Sequence, residues 1–367
     1  MCMGMPEPDT SIGAFTYDLP ASAIAQQPVE PRDAARLLVD GGPDAAPTHL
    51  HVSELPDLVG PGDLLVVNDS RVRSARLSLR KASGGIVEVL LLDPIGEDEG
   101  TWEALVRPGR RVAPGQRLVA VGPHPPGRAA RGGEPTGAVE LVEVGEPLGG
   151  GRRQVRLLRP EAEVLAHGEV PLPPYLHEPL ADTERYQTVY ANRPTSVAAP
   201  TAGLHLTPSL LARCEAAGAS IASVELGVGI GTFQPIVVDD VADHVVHTEH
   251  YVVPEHTWAA CREARRVVAV GTTTVRALES VAATGRLEGV TDLYLRRGHR
   301  FAVVGALLTN FHVPRSSLLV LVDAFVGERW RSLYATALAE GYRFLSLGDA
   351  MFLPGPPFGA IATAPRR

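Results

Sequence analysis

Cysteine is nearly absent from this chain: Cys2, Cys214 and Cys261 are the three it has in 367 residues. They are odd in number and far apart, which excludes a disulfide framework and a Cys-x-x-Cys metal or cluster site. Lysine is scarcer still. Of 34 basic side chains only Lys81 is lysine, so a Schiff-base or P-loop mechanism would have to use it. It sits beside a Ser83-Gly84-Gly85 turn with no P-loop pattern. Long apolar runs are also missing. The longest, Leu318 to Val326, is broken by Asp323 and falls short of the roughly 20 residues that span a bilayer. Met1 to Thr10 carries neither basic residues nor an apolar core, so no secretory signal is expected and the cytoplasm is the expected compartment. A net charge of −8 argues against broad nonspecific nucleic-acid binding, which requires a concentrated basic surface.

What is present is arginine, alanine and proline, the bias of a GC-rich genome. Arginines cluster at 71–80, 107–117 and 296–300, as solvated surface or as a local patch that grips one shaped RNA. With 45% apolar residues the chain buries a sizeable core, and its length favours two domains. From 77 to 158 the period is that of strands: Leu77–Lys81, Ile86–Leu92, Trp102–Arg107, Gln116–Val121, Ala138–Val144 and Gln154–Leu158. Evenly spaced short strands predict a small β-barrel, with Gly122–Thr136 as a loop. Elsewhere helix and strand alternate. Ser209–Ala217 reads as a helix, Ser220–Leu226 as a strand, Val267–Val270 as a buried strand, Thr274–Ala283 as a helix and Arg331–Glu340 as a helix stopped by Gly341; Leu318–Phe325 reads as either element. The expected architecture is an α/β domain formed by both chain ends, 1–71 and 158–367, with a β-barrel inserted over 72–157.

Five short segments carry polar groups suited to chemistry. Gly227-Val228-Gly229-Ile230-Gly231-Thr232 follows a strand, and its glycines, Gly229 among them, let a cofactor approach Thr232. It resembles a methyltransferase loop, but a β-like run follows where a helix should open. Gly271-Thr272-Thr273-Thr274 lies between a buried strand and a helix that carries Arg276, so it receives an anion at the helix start or simply caps the helix. His244, His247, Glu249 and His250 fall within seven residues; without a third ligand at recognisable spacing, proton transfer suits His247 and Glu249 better than metal binding. Thr309-Asn310-Phe311-His312 is a polar cluster between apolar runs, where buried groups need partners or face a ligand. In Thr201-Ala202-Gly203-Leu204-His205 small residues allow close approach, and His205 points into a cleft or is a satisfied core histidine.

Together these segments resemble the S-adenosylmethionine:tRNA ribosyltransferase-isomerase family of queuosine biosynthesis. The matching blocks include FTYDLPASAIAQQPVEPRDAARLL at 15–38, PGDLLVVNDSRVRSARL at 61–77, SVAAPTAGLHLTPSLL at 196–211, DHVVHTEHY at 243–251, AVGTTTVRALES at 269–280 and LLTNFHVPRSSLLVLVDAFVG at 307–327. The resemblance implies an α/β domain with an inserted β-barrel, and transfer with isomerisation of the ribosyl group of S-adenosylmethionine. The acceptor it implies is 7-aminomethyl-7-deazaguanine at the tRNA wobble position, and the products are epoxyqueuosine, adenine and methionine. It implies no metal and no cofactor beyond the donor; the chain is expected to act as a monomer off the membrane. On this resemblance His205, His247, Glu249 and His312 are candidates for the proton transfers. Asn68, Asp69, Arg71 and Arg76 suit tRNA or nucleoside contacts, the Gly271–Thr274 turn with Arg276 suits the methionine end of the donor, and Thr201, Gly203, Gly229, Thr232, Thr309 and Asn310 complete the substrate site.

Three positions depart from the family pattern: Gly227 stands where an imidazole is typical, Arg296-Arg297 where Tyr-Pro is typical, and Gly305 where a carboxylate is typical. If all three line one cleft, the acceptor preference is expected to differ. A methyltransferase and a catalytically silent tRNA-binding protein remain the competing readings.

Overall fold

The computed structural model describes residues 9–96, 100–120, 139–229 and 235–355. The chain divides into two compact units, one of residues 1–71 with 173–367 and one of residues 72–172. The expected loop Gly122–Thr136 and Thr232 lie outside the described residues.

In chain order the strands of the first segment are β1 (Arg36–Val39), β2 (Thr48–His51), β3 (Asp63–Asn68) and β4 (Ser70–Val72). The second unit holds β5 (Arg76–Lys81), β6 (Ile86–Pro94), β7 (Thr101–Arg107), β8 (Gln116–Ala120), β9 (Glu140–Gly149), β10 (Arg152–Leu157), the short helix α1 (Glu161–Leu165) and β11 (Gly168–Glu169). Six of these close into an antiparallel barrel in the order β5-β6-β7-β10-β9-β8, with β8 returning to β5 and β11 added on β5. In β5 and β7 the burial alternates: Leu77 and Leu79, and Trp102, Ala104 and Val106, are buried while the residues between them are more exposed, the period-2 pattern of a one-sided strand; β6 departs from it, with Val89–Leu92 all buried. Its arginines are largely structural. Arg73 is buried with its guanidinium over the Trp102 ring, Arg153 donates to the carbonyls of Gly109, Val112 and Gly145, and Arg117 pairs with Glu140 and Glu143.

The main unit continues with β12 (Arg193–Ser196), α2 (Pro208–Ala216), β13 (Ser220–Leu226), β14 (Glu249–Val252), α3 (Glu255–Glu263), β15 (Arg266–Val270), α4 (Thr272–Thr284), β16 (Glu288–Thr291), β17 (Val304–Asn310), α5 (Ser317–Val326), α6 (Arg329–Ala339) and β18 (Ala350–Pro354). Its sheet has nine strands in the order β16-β14-β13-β3-β15-β17-β18-β1-β2. The centre, β13-β3-β15-β17, is parallel, and β18 runs antiparallel to β17 but parallel to β1. Apolar layers cover both faces, so the central strands read as unbroken apolar runs: Leu64 and Val66 enter the core on one face, Leu65 and Val67 the core on the other.

Local signals set the helix ends. The Ser316 hydroxyl accepts from the Leu319 N–H to open α5, which stops at Gly327 with φ 66°; such a cap contributes about 1 kcal/mol. Leu318–Phe325 is therefore helix, its ambiguity resolved by this cap. Gly271, at φ 92°, opens α4, and Gly285, at φ 71°, closes it. Neither Thr272 nor Thr273 caps α4; both lie in its first turn. Within α4 the buried Glu279 carboxylate accepts from the N–H groups of Ala302, Val303 and Val304, which fixes where β17 begins.

Candidate active site

The parallel strands deliver their carboxyl ends to one edge of the sheet, the place where open α/β sheets bind ligands. There β13 runs out at Val228 and Gly229, β15 at Gly271, and β17 at Thr309 and Asn310. Two clefts, partly open to solvent, lie at this edge. Thr272, Thr273 and Leu318 line both. The first turn of α4 thus forms the partition, and its N–H groups are positioned for a carboxylate.

The first cleft is mostly apolar, walled by Tyr175, Val228, Phe311 and Leu345, with Thr201, Asn310 and His312 among its polar groups. Asn310 organises it. Its carbonyl accepts from the Thr201 hydroxyl at 2.9 Å, and its amide donates to His205 Nε2 at 3.1 Å and to the Leu345 carbonyl at 3.2 Å. This pattern makes Nε2 of His205 the acceptor and leaves the proton on Nδ1. Leu345 presents that carbonyl from a left-handed conformation, φ 70°, which costs on the order of 1–2 kcal/mol in a non-glycine residue. His312 is held at both ends of its backbone, donating from its N–H to the Tyr334 hydroxyl and accepting at its carbonyl from Tyr17. Its Nε2 lies 3.0 Å from the Thr309 hydroxyl. Burial pushes His312 down to about 3, and burial, opposed by Asp349 and reinforced by Arg343, Arg185 and Arg32, pushes His205 down to about 4. Both rings are neutral hydrogen-bonding groups at neutral pH and poor proton acceptors.

The second cleft also has apolar walls, among them Val246, Leu293, Leu295 and Leu321, but it is the polar one of the two in being built on an ion pair. Arg276, from the second turn of α4, meets the Glu249 carboxylate, which also accepts from the Gly229 N–H at 3.2 Å. The same guanidinium donates to the carbonyls of Leu293, His247 and Thr291, stapling the 247–249 and 291–293 segments together. His247 is exposed at the cleft, and His244 packs edge-on against Tyr294. Burial and then His247 lower the His244 pKa. The sequence pairs Glu249 with His247 as a base; the geometry instead commits this carboxylate to Arg276 and a backbone amide.

Several expected contacts are structural. Asn68 is fully buried, and its amide bridges the Leu226 backbone and the Thr273 hydroxyl, locking β3 to β13 and α4. It has no surface to offer RNA. Asp69 is half-buried, and that burial raises its carboxyl pKa. Arg71 is paired with Glu184, and in the other unit Arg76 lies 3.9 Å from Glu88. Gly203 is glycine because a Cβ there would meet the Tyr190 hydroxyl at 2.1 Å; the close approach is from tyrosine, not from a ligand. Sequence reasoning passed over Tyr175, Tyr294 and Leu318 as site residues, because their largely apolar character gives no sign of a cleft.

The three departures do not share a cleft. A Cβ at Gly227 would meet the Thr195 carbonyl at 2.9 Å, Arg297 is taken up by Asp323 and Glu328, and Gly305 accepts from the Gly355 N–H within the core. Among the described residues none of them lines either cleft. The condition set for a changed acceptor, that all three departures line one cleft, is therefore not met. No helix among the described residues is long and apolar enough to cross a membrane.

Comparison with known proteins agrees with this geometry. The model of the family described as "Queuosine biosynthesis protein" matches residues 12–353. The chain is 48% identical over 341 residues to the S-adenosylmethionine:tRNA ribosyltransferase-isomerase of Rubrobacter xylanophilus, covering 92% of this chain and 96% of the relative. It is 47% identical over 367 residues to the enzyme of that name from Synechococcus elongatus, covering 96% and 98%. The crystal structure of S-adenosylmethionine tRNA ribosyltransferase from Thermotoga maritima superimposes with a TM-score of 0.51 at 35% identity, over 93% of this chain and 99% of that one. These likenesses displace the methyltransferase and silent-binder readings: two clefts at the carboxyl edge of a parallel sheet, an inserted barrel and near full-length identity mean that this chain is an enzyme of the queuosine biosynthesis family.

Proposed function

We propose that the protein transfers and isomerises the ribosyl group of S-adenosylmethionine onto 7-aminomethyl-7-deazaguanine at the tRNA wobble position, giving epoxyqueuosine and releasing adenine and methionine. The observation that carries this reading is a pair of clefts that meet at Thr272 and Thr273, one holding the Arg276–Glu249 ion pair and the other lined by no acidic or basic side chain except the neutral His312. The donor occupies the polar cleft. Its methionine carboxylate lies at the start of α4 beside Arg276 and its ammonium beside Glu249, an arrangement of charges that matches a zwitterion. The reacting carbons then sit at the partition, and the acceptor base enters the apolar cleft against Phe311, hydrogen-bonded by Asn310 and His312.

The chemistry asks for a base to remove the proton that the sulfonium acidifies, a donor to help adenine leave, and a neutral acceptor amine. His205 and His312 are too weakly basic for the first task. The Thr201–Asn310–His205 chain holds neutral polar groups in place, which suits the second and third. His247, at the open side of the polar cleft, takes the first. We assign the protein to the cytoplasm, acting as a monomer, with no metal and no cofactor beyond the donor.

The deciding assay follows adenine release from S-adenosylmethionine with three acceptors: tRNA bearing 7-aminomethyl-7-deazaguanine, unmodified tRNA and the free base. Turnover with the first alone is expected. Methylated RNA with adenine retained in the product S-adenosylhomocysteine would sink the proposal. His247→Ala should lower turnover about a hundredfold or more while donor binding stays close to that of the unaltered protein. Stoichiometric zinc, lost on the same substitution, would point to metal binding instead.

A further inference from the structure

A third opening in the main unit, with about 230 Å³ of empty space, lies outside both clefts and is lined by Arg32, Arg185, His205, Ser346 and Gly348 with apolar neighbours. Both charged residues that line it are arginines, and the acids that act on Arg32, namely Glu30, Asp182 and Glu184, lie outside the lining. Arg32 spends its guanidinium on the carbonyls of Gln187, Leu204 and Glu184, all neutral. Arg185 pairs with Glu30 through Nε and donates to the Val29 carbonyl through Nη2, but its Nη1 is buried with no hydrogen-bond partner. That atom is itself closed off, so what the opening presents is the positive charge of two guanidiniums close enough for Arg185 to disfavour the charge on Arg32. The nearby acids are committed elsewhere: Glu184 to Arg71, Asp182 to the Glu184 N–H, and Asp349 to Arg343 and the Arg36 N–H. Glu30 is the exception. Its side chain is 65% exposed, a weakly held counter-ion that an anion could displace.

The opening also communicates with the apolar cleft. Ser346 lines both, and His205 accepts from Asn310, which lines the cleft. Burial pushes His205 down, Asp349 works against that, and Arg343, Arg185 and Arg32 add to it, so the ring contributes no positive charge at neutral pH.

We propose that this opening is an oxyanion subsite that seats a phosphodiester group of the RNA strand beside the nucleotide being modified. The inference rests on the reading of tRNA as acceptor. Guanidinium forks match phosphate oxygens, and phosphate contacts of this kind fix register while the base is read elsewhere. The methionine carboxylate of the donor has the same oxyanion chemistry, and the test separates the two sources.

A fluorescent anticodon stem–loop RNA is titrated by anisotropy across a range of salt concentrations, and S-adenosylmethionine by calorimetry, with the full chain and with Arg185→Gln and Glu30→Gln. Arg185→Gln should weaken RNA binding about tenfold and reduce the salt slope by about 0.7, the value for one single-strand phosphate. Glu30→Gln, a change on an exposed side chain that frees the guanidinium, should tighten RNA binding. Donor affinity should stay unchanged in both. RNA affinity and slope equal to those of the unaltered protein in Arg185→Gln would overturn the proposal, as would unchanged or weaker RNA binding in Glu30→Gln. Loss of donor affinity in place of RNA affinity would assign the opening to the methionine carboxylate. An unaltered protein that binds the RNA yet releases no adenine would refute the functional reading alone; one that binds no RNA would refute both.

Discussion

Arg276→Met should lower the unfolding free energy by about 3–5 kcal/mol and abolish measurable donor binding. The side chains of Arg276 and Glu249 are 11% and 5% exposed, so removing the cation leaves a carboxylate out of water, and a peptide N–H such as that of Gly229 does not neutralise it. The loss reaches further than the pair, because the guanidinium also ties the carbonyls of His247, Thr291 and Leu293 into one wall. Adding Glu249→Gln to Arg276→Met removes the stranded charge and should recover much of the stability but none of the donor binding. A double-mutant cycle by urea unfolding, with calorimetric titration of S-adenosylmethionine, separates the two effects. An Arg276→Met protein within about 1 kcal/mol of the unaltered one, with the donor still bound, would contradict the role given to this pair.

Stability should also fall steeply as the pH drops below about 6.5. His205 and His312 sit at about 4 and about 3 in the folded protein, against an ordinary value of 6.5. Above 6.5 both are neutral in either state, and their contribution is fully present. Between 6.5 and about 4 the unfolded chain binds two protons that the folded chain refuses, so each pH unit costs up to about 2.7 kcal/mol, twice the single-site slope. Below about 4 His205 stops contributing, and His312 continues to about 3. Asp69, whose carboxyl is raised by burial, acts in the opposite sense within the carboxylate range. Urea unfolding at pH 7.5, 6.0 and 5.0 measures the slope, and His312→Gln should reduce it by about one proton. A flat profile over that interval would mean that these imidazoles are not sealed from water.

Much of the fold could be read from the chain because its signals are local. Period-2 alternation in strands such as β5 and β7 marks the barrel, and glycines after Ala216, Thr284 and Glu340 mark where helices end. The site was harder to read. His205, Asn310 and Thr201 were singled out separately, but nothing in their spacing says that one amide joins them across 105 and 109 positions. Arg32 and Arg185 lie within or near matching blocks and look like any other arginine of an arginine-rich chain. What distinguishes Arg185 is an unmade hydrogen bond, which exists only after folding. Asn68 shows the reverse error: a polar residue at a strand end suggests a ligand, and tertiary packing made it a clamp.

The position of β18 has a consequence for how the protein is made. This strand lies between β17 and β1, pairing with both, so β1 and β2 have no place in the sheet until residues near 354 have left the ribosome. Residues 72–172, a single uninterrupted stretch, can close their barrel long before that. During synthesis β1, with Leu37 and Leu38 to bury, therefore waits with only the mostly exposed β2 to pair with while the middle of the chain matures, a delay of roughly 15–60 s at about 5–20 residues per second. The interval of greatest exposure to aggregation falls late in translation, and it ends when one short strand arrives.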